Sequence, residues 1–339
     1  MRRRANGLTF VLASLWLAGS AAIAQADEIN LYSTREVPPM EPVIASFTAA
    51  TGIKVNLTYV EDNLVKRVTA EGDASPADVL LTIGFDKTTQ FVTSRLTQTI
   101  SSPLLDNAIP PQLRGAQWVA LSVRPRVVMA RADAAPGAIH YEDLAESKWR
   151  GKLCIRSPLH QNNVALIAAY LVHHGAETTE AWLNGVKANL VHKPAGKDND
   201  VIREIAQGTC EIGIGNTVAL AQLRAGREGG DWSAWARAVK AVPTAFRGGN
   251  THVNLTGAAI AKHAQHPAAA QRFLEFLVTP AAQRIYAAAE LEYPVLATAD
   301  RDPILVEIGS FSPDALPIDQ IAAHQQAAIA LIKKVSFDE

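Results

Sequence analysis

Short strand-like segments alternate with amphipathic helical segments from residue 28 onward. Residues 29–33 form a short β run, and apolar side chains recur at helical spacing over residues 40–47 until Gly52 ends the helix. Residues 53–59 then alternate apolar and less apolar side chains, and residues 77–83 form a continuous apolar run, typical of a strand that is buried on both faces. This strand–helix–strand order predicts a doubly wound α/β sheet.

A second unit of the same kind follows in the middle of the chain. Its predicted segments are a strand at 152–155, helices near 163–174, 178–188 and 199–207, and a strand at 210–214. The chain then returns to a strand at 251–259, helices at 267–278 and 279–288, and a last helix near 318–333. Since 339 residues are more than one core usually covers, we expect two lobes, residues 27–127 with 250–300 and residues 128–249 with 301–339.

The first 26 residues have the pattern of a cleavable signal peptide. Arginines at positions 2–4 precede an apolar run over residues 8–23, and Ala24-Gln25-Ala26 resembles a cleavage site. The run is short and interrupted, so a retained membrane anchor is the weaker alternative. Loss of this segment removes three of 32 basic residues and leaves 29 against 33 acidic ones. We therefore predict a periplasmic protein, and the acidic balance argues against a nucleic-acid partner.

The two cysteines, Cys154 and Cys210, are an even number in a chain that we expect to be exported. Thiols of exported proteins meet an oxidising compartment, which favours one disulfide, with two free buried thiols as the alternative. Motifs of common enzymes, such as GxSxG, HExxH and the phosphate loop, are absent from the sequence. We therefore do not expect an enzyme.

Polar side chains follow several of the predicted strands, where ligands bind in sheets of this class. The loops at these positions are residues 33–36, 82–85, 157–163 and 216–217. Arginines supply planar forks that match carboxylate or phosphate oxygens, and Asn216 is a predicted N-cap of a helix over residues 217–224. The sequence therefore predicts a ligand site at these loops.

Several segments together resemble the ferric-iron-binding branch of the periplasmic solute-binding proteins. They are LYSTRE (31–36), SPADVLLT (75–82), YEDLAESKWRGKLCIRS (141–157), HKPAGKDND (192–200), GTCEIGIGNT (208–217), GGNTHVNLTGAAIAKHA (248–264) and AAAQRFLEFLVTPAAQRIYA (268–287). The resemblance implies a two-lobed, type II binding-protein fold that closes around its ligand. It also implies delivery to a membrane permease and a cytoplasmic ATPase of an ABC importer, and we expect the protein to be a monomer.

The iron ligands of that family are largely missing here. The resemblance places the family's adjacent tyrosine pair at Val218 and Ala219, a further tyrosine at Asn162, the first-loop His or Tyr at Glu36, and a glutamate at Ile83. Ferric iron is a hard cation that needs anionic oxygen donors, which Val and Ala lack. A bare metal site would depend on Glu36, with Glu61, Asp86 or His160 as stray partners.

We therefore expect the cleft to bind a ferric chelate or a small organic anion, with directly bound Fe³⁺ as an alternative and no other cofactor. The predicted ligand-binding residues are Ser33, Thr34, Arg35, Glu36, Arg126, Ser157, Asn162, Asn163, Asn216 and Thr217, with Arg124 and Arg156 as further cations. Other interpretations stay open for these residues, such as ion pairs of Arg35 with Glu36 or Glu61, and turn or capping roles for Ser157 and Asn163. The same lobes would also suit an organic-anion binder unrelated to iron, or a sensor that presents its closed form to a receptor.

Overall fold

The computed structural model describes residues 28–338, so the predicted signal peptide lies outside the described residues. The strands are β1 Glu28–Ser33, β2 Lys54–Tyr59, β3 Val79–Ile83, β4 Val119–Arg131, β5 Ile139–His140, β6 Leu153–Cys154, β7 Ile212–Asn216, β8 Val239–Ala241, β9 Thr244–Ala245, β10 Val253–Ile260 and β11 Tyr293–Pro294. The helices of the first half are α1 Val37–Thr51, α2 Leu64–Glu71, α3 Phe85–Thr93, α4 Pro103–Ala108, α5 Gln161–Ala188 and α6 Asp198–Ala206. Those of the second half are α7 Thr217–Arg224, α8 Trp232–Ala238, α9 Pro267–Leu277, α10 Pro280–Glu290, α11 Pro303–Ile308, α12 Ile318–Ala323 and α13 Gln325–Lys334.

The predicted strand–helix–strand order is confirmed at the start of the chain. Strand β1 pairs in parallel with β2 and β3, and α1 ends at Gly52, whose φ of 74° is the left-handed conformation that glycine adopts readily. Residues Val79, Leu80 and Leu81 of β3 are fully buried, as the unbroken apolar run predicts. Strand β10 runs antiparallel to β3 and β4, so the sheet is mixed.

Strand β4 connects two parts of the sheet. Its residues up to Pro125 pair with β10, which lies beside β3, whereas residues from Arg126 to Ala130 pair with β7, which lies beside β6. The sheet order is therefore β2-β1-β3-β10-β4-β7-β6, with β11 and β8 paired to the two ends of β4. The carboxyl ends of β1 and β3 and the end of β7 consequently lie on either side of the middle of β4.

Two predicted helix or strand boundaries are wrong, and one break between helices is correct. The helices predicted at 163–174 and 178–188 are confirmed as the two helical parts of α5, which are separated by a non-helical kink at Gly175 with φ 77° and ψ 171°. The last predicted helix is instead divided at His324 into α12 and α13. Strand β7 runs two residues further than predicted and ends at Asn216, so that Asn216 and Thr217 lie directly at the junction of β7 and α7.

The predicted disulfide between Cys154 and Cys210 is present, with the two Cα atoms 5.9 Å apart. It joins the end of β6 to the residues just before β7, next to the strand that leads to Asn216. Among the helices of residues 28–338, none combines the length and apolarity needed to cross a membrane. The C-terminal helices α12 and α13 pack along α5, and α12 also contacts α3.

Candidate ligand-binding cleft

Arg35 lies just after β1 in a buried ion network. Its guanidinium pairs with Glu290 and Glu292, donates to the Thr256 hydroxyl at 2.8 Å, and is 3.3 Å from the Tyr286 hydroxyl oxygen. Burial tends to lower the pKa of Arg35, but Glu292 and its neighbours outweigh this effect and raise it. The open alternative of an ion pair is therefore correct, but the partners are these distant glutamates and not Glu36 or Glu61.

Arg126 lies on β4 and is fully buried. Its Nε donates to Asn163 Oδ1 at 2.8 Å, and its Nη1 donates to Asp198 Oδ2 at 3.1 Å and to Asn216 Oδ1 at 3.0 Å. These bonds occupy the guanidinium, so Arg126 is engaged in holding the start of α5, α6 and the end of β7 together. In this conformation it presents no open fork to a ligand.

The two asparagines bound by Arg126 have positioning contacts of their own. Asn163 Nδ2 donates to the carbonyl oxygens of Arg156 and Ser157, both at 3.0 Å. Asn216 occupies the N-cap position of α7, but its side chain does not cap the helix because Oδ1 accepts from Arg126. The capping role predicted for Asn216 is therefore wrong, while its place at the helix start is correct.

Arg124 and Arg156 are less well neutralised. Arg124 Nε is 3.2 Å from Glu292 Oε1 without hydrogen-bond geometry, and Arg156 Nη1 is 3.7 Å from Asp198 Oδ1. Burial lowers the pKa of both guanidinium groups, and neither acid offsets this effect. Both carboxylates already pair with Arg35 or Arg126, so Arg124 and Arg156 carry the charge that a ligand would meet.

The floor of the cleft therefore has an excess of positive charge. We define the floor by Arg124, Arg126, Arg156 and Asp198 together with the adjoining network of Arg35, Glu290 and Glu292, which gives four cations against three carboxylates. The positive charge of the floor also affects His160, since burial and the nearby arginines lower its pKa to about 4. A neutral His160 agrees with its structural role, in which Nδ1 accepts from the Asn162 backbone N–H at 3.2 Å.

Several donors at this floor have no hydrogen-bond partner among the described residues. They are Arg124 Nε, Arg156 Nε, Asn216 Nδ2 and Thr217 Oγ1, all of which are buried. A buried polar group without a partner is costly, so such groups usually mark an absent ligand or water. Four unused donors and one surplus positive charge fit an anion with several oxygens.

Two further predicted residues serve in turns. Ser33 Oγ accepts from the Arg35 backbone N–H at 2.8 Å, and Ser157 Oγ accepts from the Leu159 N–H at 3.2 Å. Asn162, by contrast, reaches across the cleft, where its Oδ1 accepts from Asn254 Nδ2 at 3.0 Å. This contact links α5 to β10.

A second part of the cleft, the mouth cavity, opens beside the floor. It has a volume of about 260 Å³ and is lined by Arg35, Glu36, Tyr59, Ile83, Arg227 and Glu290, with Thr34 at its edge. Thr34 Oγ1 accepts from the Ile83 N–H at 3.1 Å and so fixes the loop after β1. Glu36 and Tyr59 are exposed, whereas Glu290 is 3 % exposed.

Carboxylates and histidines alone do not build a metal site here. Within residues 28–338, the only cluster of three His, Cys, Asp or Glu side chains close enough to share a metal is Cys154, Glu204 and Cys210. Its two cysteines are joined in the disulfide. Glu36 lies in the mouth cavity, His160 lies beside the arginines, and Asp86 lines a different cavity with α12. Of the stray partners suggested for Glu36, Asp86 and His160 are therefore not brought to it, whereas Glu61 and Glu36 both lie close to Tyr59. Metal binding by Glu36 stays a prediction.

Comparison with known proteins identifies the family. Residues 29–289 match the family described as bacterial extracellular solute-binding protein. The chain belongs to this family. As a solute-binding protein it shares the two-lobed α/β architecture of its solved relatives, with the cleft between the two parts of the sheet that β4 connects.

Individual relatives of this solute-binding protein are named for iron. The chain is 34 % identical over 318 residues to "Iron uptake protein A1" of Synechocystis sp., covering 92 % of this chain and 88 % of that protein. The structure of a Bordetella ferric binding protein is 45 % identical with a TM-score of 0.89, covering 92 % and 100 %. A Trichodesmium protein in complex with iron and citrate is 34 % identical with a TM-score of 0.86, covering 91 % and 99 %. The resemblance to the ferric-iron-binding branch is thus confirmed.

The solute-binding protein nevertheless has Val218 and Ala219 at the start of α7, where the family resemblance places tyrosines. Both side chains are buried, at 5 % and 7 % exposure, and neither carries an oxygen. Tyr59 was not among the predicted site residues, although it ends β2 at the same sheet edge as the selected loops. The rule that selected residues 33–36 would also have selected Tyr59.

Proposed function

We propose that this protein captures the cargo of an ABC importer of the ferric-iron type and binds it as an anion, either a ferric chelate or a small organic anion. The single observation that carries the proposal is the set of buried, unpartnered donors around Arg124 and Arg156. A chelate brings its own oxygen donors to the metal and presents outward-facing carboxylates, so it does not need the tyrosine pair. The relatives named for iron, one of them in complex with citrate, support this choice of cargo.

Several further parts of the proposal depend on the family. We propose that the protein works in the periplasm as a monomer, delivers its cargo to a permease and ATPase, and has no enzymatic activity. The lobes that close on the cargo would be residues 27–127 with 250–300 and residues 128–249 with 301–339. The pairing of β10 with β3, and the packing of α13 along α5, support this division.

A second candidate is an organic-anion binder that does not use iron. The absence of oxygen donors at Val218 and Ala219 favours this candidate. Both candidates use the same arginines, and they differ in whether the metal adds affinity. Binding of ferric citrate and of iron-free citrate therefore has to be compared.

The test is a thermal-shift titration with citrate, ferric citrate and a phosphonate. A ligand that binds only the folded protein raises Tm by mass action. Arg124→Ala should weaken binding about tenfold to a hundredfold, since a hydrogen bond to a charged group contributes roughly 1.5–3 kcal/mol. Arg131→Ala is the matched control, because Arg131 lies on the same strand with its side chain 46 % exposed. An unchanged shift in the Arg124 variant would contradict the proposal.

A further inference from the structure

Oxygen-bearing side chains are concentrated at the mouth cavity. Tyr59 lies close to Glu36, Glu61 and Asp62, and the partial burial of its phenol and these negative charges raise its pKa. Within residues 28–338, none of these three acids forms a salt bridge or a side-chain hydrogen bond. These three acids therefore have no ion-pair partner among the described residues, although Arg35 and Arg227 line the same cavity.

Glu290 is the independent observation that indicates a ligand. Its Oε2 pairs with Arg35, whereas Oε1 is buried and has no hydrogen-bond partner in the described chain. The residue is 3 % exposed and lines the mouth cavity together with Glu36 and Tyr59. A buried carboxylate oxygen without a donor is expensive, and a bound cation would remove that cost.

We propose that Tyr59, Glu36 and Glu290 bind the metal of a ferric chelate directly, at a position different from the tyrosine pair of the family. A phenol and two carboxylates are hard oxygen donors of the kind that Fe³⁺ prefers. On binding, the Tyr59 O–H loses its proton to solvent, and the phenolate and carboxylate oxygens replace water ligands of the iron, which leave to solvent while the iron stays ferric. The proposal rests on the proposed function, since the chelator fills the remaining metal positions.

Arg35 connects the two halves of this arrangement. It pairs with Glu290, which lines the mouth cavity, and with Glu292, which lies beside Arg124 at the floor. The chelator's carboxylates would therefore lie on the unused donors of Arg124 and Arg156, with the metal facing Tyr59. The charge around Tyr59 is compatible with phenolate binding. The surrounding acids raise the pKa of the Tyr59 phenol, whereas a bound trivalent cation lowers it and so favours the phenolate.

Tyr59 is suited to a spectroscopic test, because it is the one tyrosine of six with an exposed side chain, at 39 %. Iron bound to a phenolate gives a visible charge-transfer absorption, which carboxylates alone do not give. The wild-type protein should become coloured on titration with ferric citrate. Tyr59→Phe should not gain this absorption beyond that of ferric citrate itself, while it still shows a thermal shift with ferric citrate. Tyr286→Phe is the control and should keep the colour, because that phenol is buried beside Arg35.

The carboxylates are tested by competition for iron with an external chelator. Glu290→Gln and Glu36→Gln should each release iron at about a tenfold lower competitor concentration than the wild type. The control is Glu41→Gln, since Glu41 is an exposed acid of α1 outside the cavity. Because Glu290 is buried, the exposed Tyr59 and Glu36 variants keep the test valid if the Glu290 variant folds poorly.

The possible outcomes separate this inference from the proposed function. Colour that persists in Tyr59→Phe overturns the assignment of Tyr59, and so does a colourless wild type that carries iron. In both cases an Arg124-dependent shift with citrate would leave the proposed function in place. If neither citrate nor ferric citrate binds to the wild type, both the proposed function and this inference are wrong.

Discussion

Replacing Arg126 with Met tests whether this arginine is a structural ion-pair partner or a ligand contact. The substitution removes both hydrogen bonds to Asp198, at 3.1 and 3.3 Å, and leaves that carboxylate buried at 5 % exposure. It also leaves Asn163 Oδ1 and Asn216 Oδ1 without their arginine donor. Removing one partner of a buried pair usually costs about 3–5 kcal/mol. Arg156, 3.7 Å from Asp198, offsets part of this loss, so we expect about 3 kcal/mol.

The assay is urea unfolding of the wild type, Arg126→Met, Asp198→Asn and the double variant. The double variant should recover much of the loss, because Asn removes the uncompensated buried charge, and the cycle isolates the coupling energy. Arg131→Met is the control, since its pair with Asp133 is exposed and should contribute at most about 1 kcal/mol. A loss below about 1 kcal/mol in Arg126→Met, or no recovery in the double variant, would refute the structural role.

Three further results are expected. Replacing Cys154 and Cys210 with Ser should lower the free energy of unfolding by about 4 kcal/mol, because the bridge closes a loop with a separation of 56 residues, and urea unfolding measures this. In the wild type, His160 should lower the free energy of unfolding by an amount on the order of 2 kcal/mol when the pH falls from 6.5 to 5. The reason is that unfolded His binds a proton near pH 6.5, whereas folded His160, with its pKa of about 4, does not. His160→Asn should abolish this loss. Asn162→Ala removes the bond from Asn254, so X-ray scattering should show a larger radius of gyration without ligand; an equal radius would contradict this role.

The strands and helices at the start of the chain could be predicted because local sequence patterns determine them. The apolar run of β3 and the glycine that ends α1 are visible within a few neighbouring residues. Gly175 could be interpreted in the same way, because its positive φ interrupts the helical backbone of α5 between the two predicted helices. His173 and His174 directly precede this kink, and their side chains pair with Asp314 and Glu142.

The ion networks of the site could not be derived from the sequence. Arg35 pairs with glutamates more than 250 positions away, and Asp198 lies 72 residues after Arg126. A single sequence contains no signal that associates such residues, because only the folded sheet brings their loops together. The prediction that Arg35 lies at the carboxyl end of a strand needed only topology, whereas Arg124 and Arg126 lie in the middle of β4. Which of these arginines remains without a neutralising acid depends on where the neighbouring acids lie, and the strand order alone does not determine their positions.

The disulfide holds part of the candidate site in place only in a compartment where the disulfide can form. It fixes the end of β6 to the residues that precede β7, and β7 ends at Asn216, next to the unused donor of Thr217. Cytoplasmic thiols stay reduced, so we expect this attachment to form only after export. A reduced chain would therefore lack this attachment beside the candidate site.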